Sequence, residues 1–170
     1  MIFGHLLTSS NYDDNEKKVT GGRNGYGAKL ANIFSTEFSV ETLDTNAHKK
    51  YKQTWTENMY KAGKASITKS SVKRGYTQIS FKPDLAKFGM EHLDKDIVAL
   101  MSKRVYDIAG CNSSVKVYLN GSLIPIRNFT AYCKLYLPKD QKCVFDKIND
   151  RWEVCVTHSE GEAEQVSFVN

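Results

Sequence analysis

Gly21-Gly22-Arg23-Asn24-Gly25-Tyr26-Gly27-Ala28-Lys29 is the stretch on which the reading of this chain turns. Glycines without a Cβ let the backbone take positive φ and lie close to a ligand. Directly afterwards Leu30, Ile33 and Phe34 recur at i, i+3 and i+4, which predicts a short helix. The first N–H groups of a helix have no partner inside it, and its dipole end is positive, so a turn entering a helix suits an anion. Arg23 and Lys29 flank the turn with fixed positive charge. A Walker A loop would need Ser or Thr after the lysine to hold magnesium, and Leu30 stands there. The dinucleotide fingerprint would need its third glycine at the same place, and no strongly apolar strand precedes the run. Two readings therefore stay open on the residues alone: a phosphate loop of unassigned family, or a glycine turn that caps a helix.

Upstream, residues 8–24 are polar and rich in turn formers. Loops longer than about 12–15 residues are usually functional lids or disordered, so this segment is expected to be the least ordered internal one without nucleotide. Downstream, alternation and β-forming residues predict strands over 37–42, 51–55, 66–69 and 77–81, the last stopped by Pro83. Residues 94–110 predict a helix. Asp94 caps its start, Ile97, Leu100, Met101, Val105 and Ile108 form a core-facing stripe, and Gly110 takes the C′ position. Residues 115–119 and 123–126 around Asn120-Gly121 predict a hairpin with a type I′ turn. After Asn128 the character changes: 129–137 is aromatic and apolar, 138–150 is polar, and 152–157 with 165–169 predict two antiparallel strands. The class is α/β.

The 170 residues suffice for one domain, or one domain and the beginning of a second. No run approaches the roughly 18 apolar residues of a membrane helix, and no secretory signal opens the chain, so an intracellular protein without a membrane partner is expected. The four cysteines have no CxxC spacing, which predicts free thiols in a reducing compartment, and the four histidines are scattered, so no metal site is expected from this chain's residues. Residues 1–90 hold 14 Lys and Arg against 8 Asp and Glu, a basic balance that favours an anionic partner.

The run from Ile2 to Asp13, then Gly21 to Leu30 and Asn32 to Thr36, resembles the ATP lid of eukaryotic type IIA DNA topoisomerases. The similarity continues in order through Tyr51-Lys-Gln, Phe81-Lys-Pro-Asp-Leu85, residues 93–101, Val115 to Gly121, Arg151-Trp-Glu-Val-Cys155 and Gln165 to Asn170. It implies a GHKL-class ATPase with a Bergerat α/β sandwich, helices covering one face of a mixed sheet. Residues 1–128 would be the C-terminal part of that domain including the lid, and 129–170 the beginning of a transducer domain. Contacts to ATP would fall on Ser9, Ser10, Asn11, Gly22, Arg23, Asn24, Gly25, Tyr26, Gly27, Ala28 and Lys29. Hydroxyl and amide side chains would bond ribose and phosphates, the glycine turn would wrap the triphosphate, and Lys29 would add charge.

The resemblance also implies that the general-base glutamate, the magnesium-binding asparagine and the adenine-reading aspartate precede Met1. The lysine that touches the γ-phosphate would follow Asn170, so no catalytic residue and no magnesium ligand is expected within the chain. The parent would be an ATP-hydrolysing isomerase acting on double-stranded DNA as a homodimer in the nucleus, using ATP and Mg2+. Substitutions at Gly25, Gly27 and Lys29 would then cost nucleotide affinity and leave the melting temperature of the empty protein unchanged. One rival is a non-enzymatic nucleic-acid-binding module, in which Tyr51, Trp55, Tyr60 and Tyr76 stack bases among the basic residues. Another is a different GHKL ATPase, which the Thr8–Tyr12 and Gly22–Lys29 runs match less well.

Overall fold

The structure is a computed structural model and describes residues 1–16 and 22–168. Residues 17–21, in the middle of the expected lid, and residues 169 and 170, which include the end of the expected last strand, lie outside the described residues. The chain forms two compact units, Met1–His92 and Leu93–Asn170. This division differs in kind from the 1–128 and 129–170 partition, which concerns domains of a longer protein.

In the first unit, α1 (Gly27–Ile33) precedes β1 (Ser35–Asp44), β2 (Lys49–Thr56), β3 (Lys61–Ala62), β4 (Ser66–Lys69) and β5 (Tyr76–Pro83). These strands make one sheet in the order β3-β2-β1-β5, with β4 also on β2, and every pairing is antiparallel. Phe38 and Trp55 are directly opposed across β1 and β2. With Val40 they form the core, and Phe3, Ala31 and Met59 pack against it. Phe38 also meets the rings of Phe3 and Phe81. Trp55 is thus committed to the core rather than to stacking on a base, which corrects that part of the nucleic-acid reading. Pro83 is the last residue of β5, where its missing N–H interrupts nothing.

Helix α1 turns polar side chains inward. Leu30 is 47% exposed and Phe34 36%, while Lys29 and Asn32 are buried. The residues before Ser9 lie over that face as irregular backbone whose carbonyls need donors. Asn32 Nδ2 donates to the Phe3 carbonyl at 2.9 Å, and Lys29 Nζ donates to the Thr8 carbonyl at 3.2 Å. Polar atoms won the inward positions because the covering segment is itself polar backbone.

The second unit contains α2 (Lys95–Cys111), β6 (Tyr118–Leu119), β7 (Ser122–Leu123), α3 (Phe129–Cys133), β8 (Cys143–Asn149) and β9 (Trp152–Thr157). Asp94 caps α2 as expected, its carboxylate accepting from the N–H groups of Asp96 and Ile97. The helix runs on through Gly110 to Cys111, so Gly110 is interior and not a C′ residue. Its role is contact: a Cβ there would lie 2.3 Å from Cγ of Tyr132 on α3. The buried positions of α2 are Asp107, Ala109 and Gly110, whereas Leu100, Met101 and Ile108 of the expected core stripe are about half exposed.

Asp107 accepts hydrogen bonds from Tyr132 at 2.6 Å, Lys103 at 3.0 Å and Arg104 at 2.9 Å. The hairpin turn has the expected form, with φ of 49° at Asn120 and 81° at Gly121, although its strands span two residues each. The partner of β9 is β8, inside the polar stretch 138–150, while residues 165–168, expected to pair with β9, are irregular. Charges at Asp146 and Lys147 concealed the alternation that places Cys143 and Phe145 on one face, where Phe145 meets Phe129 of α3. All four cysteines are free, and burial together with the neighbouring Cys155 pushes the Cys133 thiol up to about 12.

Candidate functional site

The glycine-rich turn is built on one residue that must be glycine. Gly25 has φ +66°, and a Cβ on it would lie 2.8 Å from the Thr8 carbonyl oxygen and 3.3 Å from Lys29 Nζ. Gly22 also has positive φ, +86°, though nothing lies near the position of its Cβ. Gly27 is helical and faces open space, so the freedom expected of it is not used by the fold. Lys29 explains the crowding at Gly25. Its side chain is 1% exposed, and its ammonium donates to the carbonyls of Gly25 (2.8 Å) and Thr8 (3.2 Å). That charge joins the two ends of the loop, so the contact with phosphate expected for Lys29 would require these two bonds to be exchanged.

The other expected residues come together around this pin. Ser9 Oγ accepts from the Asn11 N–H at 3.1 Å, and Asn11 Nδ2 donates to the Gly22 carbonyl at 2.8 Å. The 9–11 segment is thereby tied to the start of the glycine turn. Arg23 forks onto Asp14 with bonds of 2.9 and 3.0 Å, both side chains being largely exposed. Ser10, Arg23, Asn24, Tyr26, Gly27 and Ala28 are exposed, and no side chain caps α1, so the turn presents backbone and a guanidinium outward. Asn32 escaped the sequence reading. It is fully buried, and among the described residues its Oδ1 is a buried side-chain atom with no hydrogen-bond partner. Only its spacing of three from Lys29 on a short helix could have signalled a shared buried face.

Two properties bear on ligands. Phosphate oxygens could replace the Asp14 carboxylate on Arg23, because each group presents two oxygen acceptors to the planar fork of a guanidinium. For a divalent metal, no group of three His, Cys, Asp or Glu side chains among the described residues could hold it. No helix of the described residues is long and apolar enough to cross a membrane.

Over its whole length the chain is 60% identical to DNA topoisomerase 2 of Arabidopsis thaliana and 56% identical to DNA topoisomerase 2-alpha of Homo sapiens. It spans 12% of each of those proteins. The ATPase region of Saccharomyces cerevisiae topoisomerase II superposes with a TM-score of 0.88 at 56% identity, over 94% of this chain and 43% of that one. A second structure of that yeast region, bound to dexrazoxane, also gives a TM-score of 0.88, at 55% identity and with the same coverage of both chains. No protein-family model matches the chain.

Proposed function

Because the chain belongs to the DNA topoisomerase II family and matches part of its ATPase region, we propose that it is the lid-bearing portion of the ATP site of an ATP-dependent type II topoisomerase. The parent enzyme, an isomerase, would pass one DNA duplex through another as a nuclear homodimer. The observation that carries the nucleotide reading is the Gly25 turn, held at positive φ by the buried Lys29 so that exposed backbone and Arg23 face outward.

The residues would divide the work as follows. Gly22 to Ala28 would supply backbone N–H groups to phosphate oxygens. Arg23 would exchange Asp14 for phosphate. Ser9, Ser10 and Asn11, with Asn24 and Tyr26, would add side-chain hydrogen bonds to ribose and phosphates. Lys29 positions the turn rather than touching ligand. ATP supplies the energy for strand passage when bound. Mg2+ belongs to the same reading, and its ligands would come from outside this chain.

Binding of a fluorescent ATP analogue to the chain tests this. Arg23→Gln is expected to weaken binding and its salt dependence, since it removes a charge-assisted contact. Binding that is indifferent to both Arg23→Gln and Gly25→Ala would leave only a helix-capping turn. A positioned general base typically contributes about 10²–10⁴-fold. The general base would come from outside this chain, so ATP turnover by this chain alone is expected at background. A phosphate-release assay showing steady turnover that Arg23→Gln abolishes would contradict it.

A further inference from the structure

Three successive residues between β2 and β3, Glu57, Asn58 and Met59, have φ of 54°, 57° and 73°. Asparagine tolerates this left-handed region, but glutamate and methionine gain nothing from it, so the surrounding structure must impose the conformation. Its hydrogen bonds show what the turn serves. Helix α1 ends without the left-handed glycine or asparagine that commonly satisfies a helix's last carbonyls, since Phe34 has φ −96°. One residue later the chain is already in β1. The four successive carbonyls from Ile33 to Thr36 therefore take donors from elsewhere. Asn58 Nδ2 donates to Ile33 at 3.0 Å, and the Asp84 N–H donates to Phe34 at 2.8 Å. The Asn58 N–H donates to Ser35 at 3.1 Å, and the Glu57 N–H to Thr36 at 3.2 Å. Three of these four donors belong to the left-handed turn.

The Asn58 side chain adds what the backbone of the turn cannot. Its Nδ2 also donates to Asp84 Oδ2 at 3.0 Å, so both hydrogens of one amide tie the end of α1 to the residue that follows β5. Met59 anchors the turn by packing against the core of Phe38, Val40 and Trp55. Helix α1, by contrast, has seven residues, too few to hold helical form alone. It carries Lys29, whose ammonium holds the Gly25 and Thr8 carbonyls. The place of the glycine turn is thus inherited, through α1, from whatever fixes the far end of that helix.

We propose that Asn58 is a positioning residue for the nucleotide loop, acting through the Ile33 carbonyl and α1 to present the Gly25 turn in its phosphate-binding geometry. The proposal rests on the nucleotide reading above and adds a residue outside the set that would touch ATP. A site that is competent only part of the time binds in proportion to that fraction, so holding the turn in place raises affinity without any contact to the ligand.

Amide exchange and binding of the fluorescent ATP analogue, measured on the same variants of this chain, test it. Asn58→Gly keeps the left-handed backbone and deletes only the amide. It is expected to speed exchange across Gly27–Ile33 while the amides of Phe38, Val40 and Trp55 keep their protection. Analogue binding should weaken about tenfold, the loss expected if the turn is then competent about a tenth of the time. Asp84→Ala breaks the bond between residues 58 and 84 but leaves the amide on Ile33, so it should keep the parent's affinity and the protection of α1. Equal defects in the two variants, unchanged exchange of α1 in Asn58→Gly, or lost protection spread over the whole sheet would each overturn the proposal. Failure of the unvaried chain to bind the analogue would overturn the nucleotide reading, and with it the function given to Asn58. An unmoved α1 in a chain that does bind would overturn this proposal alone.

Discussion

Lys29 directly follows the glycine run, and in the sequence its charge points to a phosphate. The fold gives it two backbone carbonyls and buries it to 1% exposure. The sequence displays the charge but neither the Thr8 carbonyl, which is distant in the chain, nor the turn that brings the Gly25 carbonyl back to it, so this role was not legible. Lys29→Ala is therefore expected to destabilise the empty protein by about 1–3 kcal/mol, the usual cost of leaving buried acceptors unpaired, and not merely to weaken nucleotide binding. Urea denaturation checks it, and Lys29→Met, which keeps the stem, isolates the effect of the two hydrogen bonds. Gly25 and Gly27 look equivalent in the sequence and are not. A Cβ at Gly25 meets positive φ and the Thr8 carbonyl. Strain of about 1–3 kcal/mol should lower the melting temperature and cost about one to two decades of nucleotide affinity. Gly27→Ala meets open space and should leave the melting temperature unchanged. If the Gly25 variant melts and binds like the parent, the turn is not strained as described.

Among the elements, α2 shows where periodicity stops being informative. Its start was readable from Asp94, because a cap is a local chemical requirement. Its buried face was not, because a stripe of Leu and Ile does not announce which side acquires a neighbour. Gly110 decided that, by letting Tyr132 approach. Gly110→Ala is expected to push α3 off α2, read as reduced protection in amide exchange across Phe129–Cys133. Asp107 makes the same contact sensitive to pH. Burial alone would raise its carboxyl, but hydrogen bonds from Tyr132, Lys103 and Arg104 outweigh burial and hold it below the ordinary value. Its contribution is thus present above about pH 4, the unfolded value, and lost as pH falls through the lower folded value. Asp107→Asn should flatten the acid limb of a stability–pH curve. An acid limb identical to the parent's would remove Asp107 from that role. The register of β8 was hidden for a related reason: two exposed charges in succession, Asp146 and Lys147, interrupt the run of apolar residues.

At the scale of the whole molecule, charge divides with structure. Met1–His92 holds 14 Lys and Arg against 9 Asp and Glu, while Leu93–Asn170 holds 10 against 10. The first half's basic character was legible because counting charges needs no coordinates. What counting could not reveal is which lysines the sheet neutralises, since Glu41 meets Lys50 and Lys52 only across strands. The α/β class followed from the resemblance, and the Asn120-Gly121 hairpin from its turn chemistry. The division at residues 92 and 93 carries no linker-like composition and was not expected.

Strand β5 has a further consequence, for colloidal behaviour. Among the described residues it pairs only with β1, so a row of backbone groups lies open along its other side, with Ile79 44% and Phe81 50% exposed. Such a border templates the addition of another strand. Concentrated stocks of this chain should therefore turn turbid on storage, faster in high salt where the mutual repulsion of its positive charges is screened. Ile79→Lys should lengthen the lag before light scattering rises.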